Sequence, residues 1–113
     1  MRTFGIVLLA CLTAPVFAAD DTAVQRGKQV YEYWCATCHG PGLPGTVALE
    51  TKYKGSKPAP LAERTDLLPA VIKTFVRKGV SIMPFFRKTE IGDPDLDALA
   101  AYLARNARAA GGR

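Results

Sequence analysis

Five consecutive residues, Cys35-Ala36-Thr37-Cys38-His39, constrain this chain more than any other stretch of it. Two thiols three positions apart, with a histidine directly after the second, match the geometry by which proteins hold haem covalently. The thiols can capture both vinyl groups as thioethers, while the imidazole of His39 reaches the iron from the same turn. The motif therefore predicts one covalently bound haem c, with Cys35, Cys38 and His39 as cofactor-binding residues.

Two other sites built on a Cys-x-x-Cys pair fit this sequence less well. A redox dithiol of the thioredoxin kind stands beside a βαβ pattern, and no such pattern follows Cys38. A structural zinc site needs four nitrogen or sulfur ligands. His39 is the one histidine of the chain, and the third cysteine, Cys11, lies in a segment that we expect to be removed. Covalent haem attachment is the interpretation that we retain.

Residues 1–18 have the features of a cleaved signal peptide. The basic residue Arg2 precedes the apolar run of residues 4–12, and residues 14–18 end in small side chains where a signal peptidase would cut. The apolar run is shorter than the roughly 20 residues that a transmembrane helix needs. We therefore expect cleavage after Ala18, export to the periplasm, and one small domain over residues 19–113.

Cys11 leaves one alternative open for this segment. Leu8-Leu9-Ala10-Cys11 faintly resembles a lipoprotein signal, which would leave Cys11 lipidated and the protein anchored to a membrane. Leu9 fits that signal poorly, so we favour the cleaved signal peptide and a domain without an anchor.

Positive charge is concentrated in residues 52–88, which carry nine basic residues against Glu63 and Asp66, an excess of +7. The basic residues are Lys52, Lys54, Lys57, Arg64, Lys73, Arg77, Lys78, Arg87 and Lys88. Such a segment is either a solvated surface or a docking face for an acidic partner protein, and the sequence leaves both open. Nucleic acid is not an expected partner, because no recognisable binding motif is present.

Helical periodicity predicts a first helix that begins near Asp20-Asp21-Thr22 and runs into Cys35. Its apolar stripe consists of Val24, Gly27, Val30, Tyr31 and Trp34. A glycine inside a helix costs about 1 kcal/mol relative to alanine, so we expect another backbone to pass close to Gly27.

The segment after His39 is expected to be a loop over residues 40–45, because glycine and proline dominate it. A backbone carbonyl of this loop, for which Pro44 is our first choice, is expected to accept a hydrogen bond from the second nitrogen of His39. Residues 46–53 predict a short helical turn, and residues 54–60 predict another loop.

Two further helices are predicted, and no segment alternates at period two as a β-strand would. One opens at Asp66-Leu67-Leu68-Pro69 and ends at Gly79, with Val71, Ile72, Phe75 and Val76 on its apolar face. The last is capped by Asp93, with Arg105 and Arg108 near its negative end. Its expected buried face consists of Leu96, Leu99, Ala100 and Leu103, with Tyr102 and Ala101 beside them.

Met83 is the other residue with ligand chemistry, because Met1 is expected to leave with the signal peptide. A methionine in an apolar segment such as residues 80–86 is by itself more often a core residue than a ligand. Pro84 restricts Met83 to an extended backbone, which suits a loop that directs the sulfur inward. With the one histidine already used, Met83 is the expected partner for the other face of the iron.

From Thr22 to Ala107 the chain resembles class I c-type cytochromes. The features that carry the resemblance are Gly27 and Tyr31 on the first helix, the motif at residues 35–39, Met83-Pro84, and Tyr102 on the last helix. The resemblance implies an all-α cytochrome c fold of three to five helices around one haem, with the first and last helices crossing at Gly27. It also implies that His39 and Met83 are the axial metal ligands.

A narrower similarity covers residues 73–102. The stretches Val76-Arg77-Lys78-Gly79 and Met83-Pro84-Phe85-Phe86 are similar to small cytochromes that serve flavin oxidoreductases such as 4-cresol dehydrogenase and eugenol hydroxylase. One departure is Thr51, which stands where many members have a proline after the histidine. The backbone partner of His39 is therefore left open.

The expected function is one-electron transfer through haem, without catalysis by this chain itself. The expected partners are a flavoprotein dehydrogenase that donates electrons and an acceptor downstream. Two alternatives remain: a freely diffusing periplasmic carrier without a dedicated enzyme, and a five-coordinate haem enzyme or sensor in which Met83 is not bound.

Overall fold

The computed structural model describes residues 17–111, with side chains from residue 21 onward. The predicted signal peptide lies outside the described residues, Cys11 included, except that Phe17 and Ala18 belong to the first helix. Cleavage after Ala18 therefore stays a prediction.

Helices account for the regular structure of the described residues. In chain order they are α1 (Phe17–Trp34), α2 (Ala36–His39), α3 (Pro44–Tyr53), a 3-10 turn (Leu61–Glu63), α4 (Pro69–Lys78), α5 (Asp93–Leu103) and α6 (Arg105–Gly111). Within residues 17–111 the extended pairing is limited to one isolated bridge between Val80 and Met83. The predicted all-α class is confirmed. The expected three to five helices correspond to α1, α3, α4 and α5, to which the structure adds the single turn α2 and the short continuation α6.

Helices α1 and α5 cross at Gly27, as the sequence predicted. A Cβ atom built on Gly27 would lie 1.9 Å from the carbonyl oxygen of Ala98 and 2.7 Å from Cβ of Tyr102. The ring of Tyr102 lies 5.6 Å from that of Tyr31, and Arg26 pairs with Asp95 at 2.8 Å. The single last helix that the sequence predicted is interrupted at Ala104 and divides into α5 and α6. Its first part, α5, is the partner of α1.

The core lies between α1, α4 and α5. Its buried members are Val30, Tyr31, Ile72, Val76, Ile91, Leu96, Leu99, Ala100, Tyr102, Leu103 and Ala104. The predicted apolar face of α5 is confirmed in full. The predicted face of α4 is half wrong: Ile72 and Val76 are buried, whereas Val71 and Phe75 are about 40% exposed. The core contacts one edge of that stripe only, and the other edge faces outward.

Helix α3 begins earlier than the sequence indicated. Pro44 and Gly45 were expected in a loop, but they form its first turn. Proline is compatible with that position, because the first amides of a helix have no partner within it. The helix ends at Lys54, which adopts a left-handed conformation with φ of 48°.

Two other helix starts also differ from expectation. The first helix begins at Phe17 rather than near Asp20. Asp93 does not cap α5, since the capping position is Gly92 and no side-chain cap bond forms. The Asp93 carboxylate instead accepts bonds from Arg77 at 2.8 Å and Lys88 at 2.7 Å.

Candidate haem site

The Cys-x-x-Cys-His stretch continues the path of α1. Cys35 donates its N–H to the carbonyl of Tyr31 at 2.9 Å, as a helical residue would. The carbonyl of Cys35 then accepts bonds from the N–H groups of Cys38 at 3.1 Å and His39 at 2.8 Å, which forms the single turn α2. Residues three apart in such a turn share a face, so both thiols are presented together. Cys35 is half-buried and Cys38 is exposed.

The His39 imidazole is held where it can serve as a neutral ligand. Burial lowers the pKa of its ring, so the ring carries a lone pair at neutral pH. Among the described residues, Nδ1 of His39 is the one buried side-chain polar atom that has no hydrogen-bond partner. A Cβ atom on Gly45 would lie 3.1 Å from Nδ1 and from Cε1, so the ring packs on this glycine.

The hydrogen bond expected between His39 and the Pro44 carbonyl is absent from the described contacts. Nδ1 has no partner, and Pro44 is the first residue of α3, where helix carbonyls accept bonds from amides one turn onward. Because the loop between His39 and α3 is short, the His39 ring lies beside the first turn of α3 and not beside an irregular loop carbonyl.

Two hydroxyl groups donate to the backbone carbonyls of His39 and of the next residue, and the sequence pattern predicted neither bond. Tyr31 donates to the carbonyl of His39 at 3.1 Å, and burial raises the pKa of this tyrosine to about 12, so the hydroxyl stays protonated. Thr46 donates to the carbonyl of Gly40 at 2.8 Å and is 1% exposed. Nothing in the local pattern around Thr46 indicated this role, which depends on the start of α3 folding back over Gly40.

Met83 lies in a tight turn between α4 and α5. Its N–H donates to the carbonyl of Val80 at 2.9 Å, and the N–H of Val80 donates back at 3.1 Å. Ser81 reaches the left-handed region with φ of 54°, and a Cβ atom on Gly79 would lie 2.7 Å from the Met83 carbonyl oxygen. Both features restrain the turn.

Met83 and the attachment turn adjoin the same hydrophobic core. Met83 and Cys35 are both half-buried and both pack against the hydrophobic core. Phe86 joins the two regions, since its ring meets that of Trp34 edge-on with centroids 5.9 Å apart. A thiol pair, an imidazole and a thioether are donors that fit haem c.

The Cys35 thiol is unlike the reactive thiol of a redox dithiol. Burial, with a smaller contribution from Cys38, raises the pKa of the Cys35 thiol to about 11. Reactive Cys-x-x-Cys pairs instead have a lowered thiol pKa. Within residues 17–111, no three His, Cys, Asp or Glu side chains are grouped as a metal site would require.

Comparison with known proteins gives the family. Residues 22–103 match the family model described as cytochrome c oxidase, cbb3-type, subunit III, a span that includes both α2 and Met83. The chain belongs to the cytochrome c family. Membership implies covalently bound haem c and an electron-transfer role, as the motif predicted.

A curated relative narrows the comparison. The cytochrome c subunit of 4-cresol dehydrogenase (hydroxylating) from Pseudomonas putida is 31% identical over 105 residues, which cover 92% of this cytochrome and 81% of the relative. The predicted similarity to cytochrome subunits of this kind is confirmed. No solved structure gives a significant match. In the part of the cytochrome that the structure describes, no helix is both long and apolar enough to cross a membrane.

Most of the cations in the basic segment of residues 52–88 form ion pairs with acidic residues. The segment therefore has fewer unpaired positive charges than its composition suggests. The ion pairs are Lys57 and Arg64 with Asp66, Lys73 with Asp97, Arg77 and Lys88 with Asp93, and Arg87 with Glu90. Lys52 lies over the Tyr53 ring at 5.6 Å. Among the described ion pairs none involves Lys52, Lys54 or Lys78, so these three are the cations available to an acidic partner.

Proposed function

We propose that this cytochrome is an exported monohaem electron carrier whose iron is ligated by His39 and Met83. The observation that supports the ligand pair is the placement of Met83, half-buried in a hydrogen-bonded turn against the same core as Cys35. A methionine held in this way would supply its sulfur as the second ligand beside His39.

Different residues would hold the cofactor and tune its reduction potential. Haem supplies the one-electron chemistry when bound. Cys35 and Cys38 anchor it as thioethers, and the neutral ring of His39 supplies the nitrogen ligand. The soft thioether of Met83 favours the reduced ion and raises the potential. With His39 and Met83 both bound to it, the group would pass electrons and would not bind a substrate.

The proposed electron donor is a flavin-dependent dehydrogenase. This partner rests on the similarity to a relative that is named as the cytochrome subunit of such an enzyme. Lys52, Lys54 and Lys78 would meet an acidic surface on it. An acceptor protein downstream completes the transfer, and periplasmic location follows from the predicted signal peptide.

Purification of the holoprotein from its native host tests this function. We expect a flavoprotein to co-purify and to reduce the haem when its substrate is added, and we expect the reduced haem to exclude carbon monoxide at neutral pH. Carbon monoxide binding by the parent protein would favour the five-coordinate alternative. Efficient reduction by unrelated donors, with no flavoprotein in the preparation, would favour a free carrier.

A further inference from the structure

The segment that carries Met83 packs on the core through Met83, Phe86 and the buried Ile91. Residues 79–92 join α4 to α5 without a helix. Three of its large apolar side chains face outward: Val80 is 42% exposed, Ile82 81% and Phe85 60%. The segment also makes polar contacts to the neighbouring helices, which add to this packing.

Arg77, in the last turn of α4, makes the contact that ties this segment to both neighbouring helices. Its Nη1 donates to the carbonyl of Phe86 at 3.1 Å, and its Nη2 donates to the carboxylate of Asp93 at 2.8 Å. The N–H of Phe86 also returns to α4, donating to the carbonyl of Val76 at 2.8 Å. Both backbone groups of Phe86 thus bind the end of α4, three residues after Met83.

We propose that Arg77 is a positioning residue that keeps the Met83 segment closed, so that the thioether stays on the iron. This inference rests on the proposed ligation by Met83. A guanidinium has donors in a planar fork and can serve two acceptors at once, whereas a lysine ammonium on a flexible stem cannot reproduce that geometry. The side chain is 22% exposed, so its bonds are partly shielded from water. Without Arg77, the bond from the Phe86 N–H to the Val76 carbonyl remains, whereas the bond to the Phe86 carbonyl and the ion pair with Asp93 are lost.

Lys73 offers a matched control one helical turn earlier. It pairs with Asp97 of α5 at 2.5 Å, so it also joins α4 to α5 by an ion pair. None of its described hydrogen bonds or ion pairs reaches residues 79–92. Loss of Lys73 therefore removes an inter-helix ion pair without releasing the Met83 segment.

The experiment compares the holoproteins of the parent, Arg77→Leu, Arg77→Lys and Lys73→Leu. Three quantities are measured: the weak absorption near the red edge that marks sulfur–iron ligation, the association rate of carbon monoxide with the reduced protein, and amide hydrogen exchange at Met83 and Phe86. Loss of one charge-assisted bond and one carbonyl bond should raise carbon monoxide association and exchange at Phe86 by about tenfold or more in Arg77→Leu. Arg77→Lys should fall between it and the parent, and Lys73→Leu should match the parent.

Each outcome decides the proposal. Equal carbon monoxide rates and equal Phe86 exchange in Arg77→Leu and Lys73→Leu would overturn it. If Arg77→Leu does not fold, the same comparison is made with Arg77→Lys. A parent protein that lacks the sulfur–iron absorption and binds carbon monoxide would remove the proposed ligation instead. Exchange at Phe86 would still test Arg77 in that case, since it reports closure of the segment whether or not the sulfur binds iron.

Discussion

Gly27 of α1 lies directly against the backbone of Ala98 in α5, with no room for a side chain between them. A Cβ atom at this position would come within 1.9 Å of the Ala98 carbonyl oxygen. The obstacle is backbone, which cannot rotate away as the end of a side chain could. The glycine therefore sets how closely the two longest helices approach, and that approach brings the Tyr31 and Tyr102 rings together.

Gly27→Val tests this contact. A branched side chain must force the helices apart, so we expect the free energy of unfolding to fall by about 1 to 3 kcal/mol or more. Denaturant unfolding of the holoprotein measures it. Gln25→Val, at an exposed position of the same helix, controls for helix propensity and should change stability by no more than about 0.5 kcal/mol. Equal effects of the two changes would show that the crossing is not tight.

Cys35 and Cys38 are each expected to carry one thioether bond to haem. Acid–acetone extraction of the denatured parent should leave the haem on the protein, because thioethers survive where iron ligands do not. Cys35→Ala with Cys38→Ala should release all haem into the acetone, and either single change should leave one bond. Haem that leaves the parent in this extraction would show that attachment is not covalent.

Met83→Ala should abolish the sulfur–iron absorption of the oxidised protein and lower the reduction potential, because the thioether favours reduced iron. Visible spectra and a potentiometric titration provide the two measurements. Ile82→Ala is the matched control, since Ile82 is the neighbouring residue in the same turn and is 81% exposed. A Met83→Ala protein with the spectrum and potential of the parent would make Met83 a core residue only.

Asp66 should make stability depend on pH in the acid range. Its carboxylate accepts two bonds from Arg64, at 2.6 and 2.7 Å, and one from Lys57, at 2.6 Å, and these hold the pKa of Asp66 well below its usual range. Because the folded-state pKa is depressed, this stabilisation is complete above the unfolded value of about 3.9. It is lost as the pH falls from there through the folded-state pKa.

Asp66→Asn should therefore lower the free energy of unfolding by about 1 to 2 kcal/mol at neutral pH. The value is modest because the carboxylate is 38% exposed and screened, although Arg64 is buried and is left without its partner. Urea unfolding at ~pH 7 and ~pH 3 measures the effect, and the variant should lose less stability than the parent between the two. Asp97→Asn removes a pair whose carboxylate is 65% exposed and should cost about 0 to 1 kcal/mol. Parallel pH profiles of parent and Asp66→Asn would contradict the assignment.

Lys52, Lys54 and Lys78 should govern association with an acidic electron donor. Steering by such charges raises association rates by about one to three orders of magnitude, and salt screens it over a Debye length of about 10 Å at 0.1 M. We expect second-order reduction rates of the separated proteins to fall with salt and to fall further after reversal to glutamate at these positions. Lys28→Glu makes the same change in net charge outside the segment. If the reduction rates do not change with salt and respond equally to every charge reversal, the basic residues are a solvated surface and not a docking face.

Several features could be predicted from the sequence because neighbours within one or two turns decide them. The cofactor follows from residues 35–39, since the spacing of thiols and imidazole is itself the chemistry. The buried face of α5 follows from its 3.6-residue period, and the end of α4 follows from Gly79, whose φ is 71°. Gly27 indicated a close contact because a glycine is costly in a helix without one.

Only the tertiary structure decided which polar groups meet. The position of Asp93 before Pro94 predicted a helix cap, but its carboxylate instead accepts bonds from Arg77 and Lys88. Most cations of residues 52–88 likewise pair with acidic residues that composition could not assign to them. Thr46 and Arg77 bind carbonyls across a chain reversal, where no periodic signal exists. An apolar stripe specifies a helix face locally, whereas a hydrogen-bonding group has many equivalent partners until packing of the helices selects one.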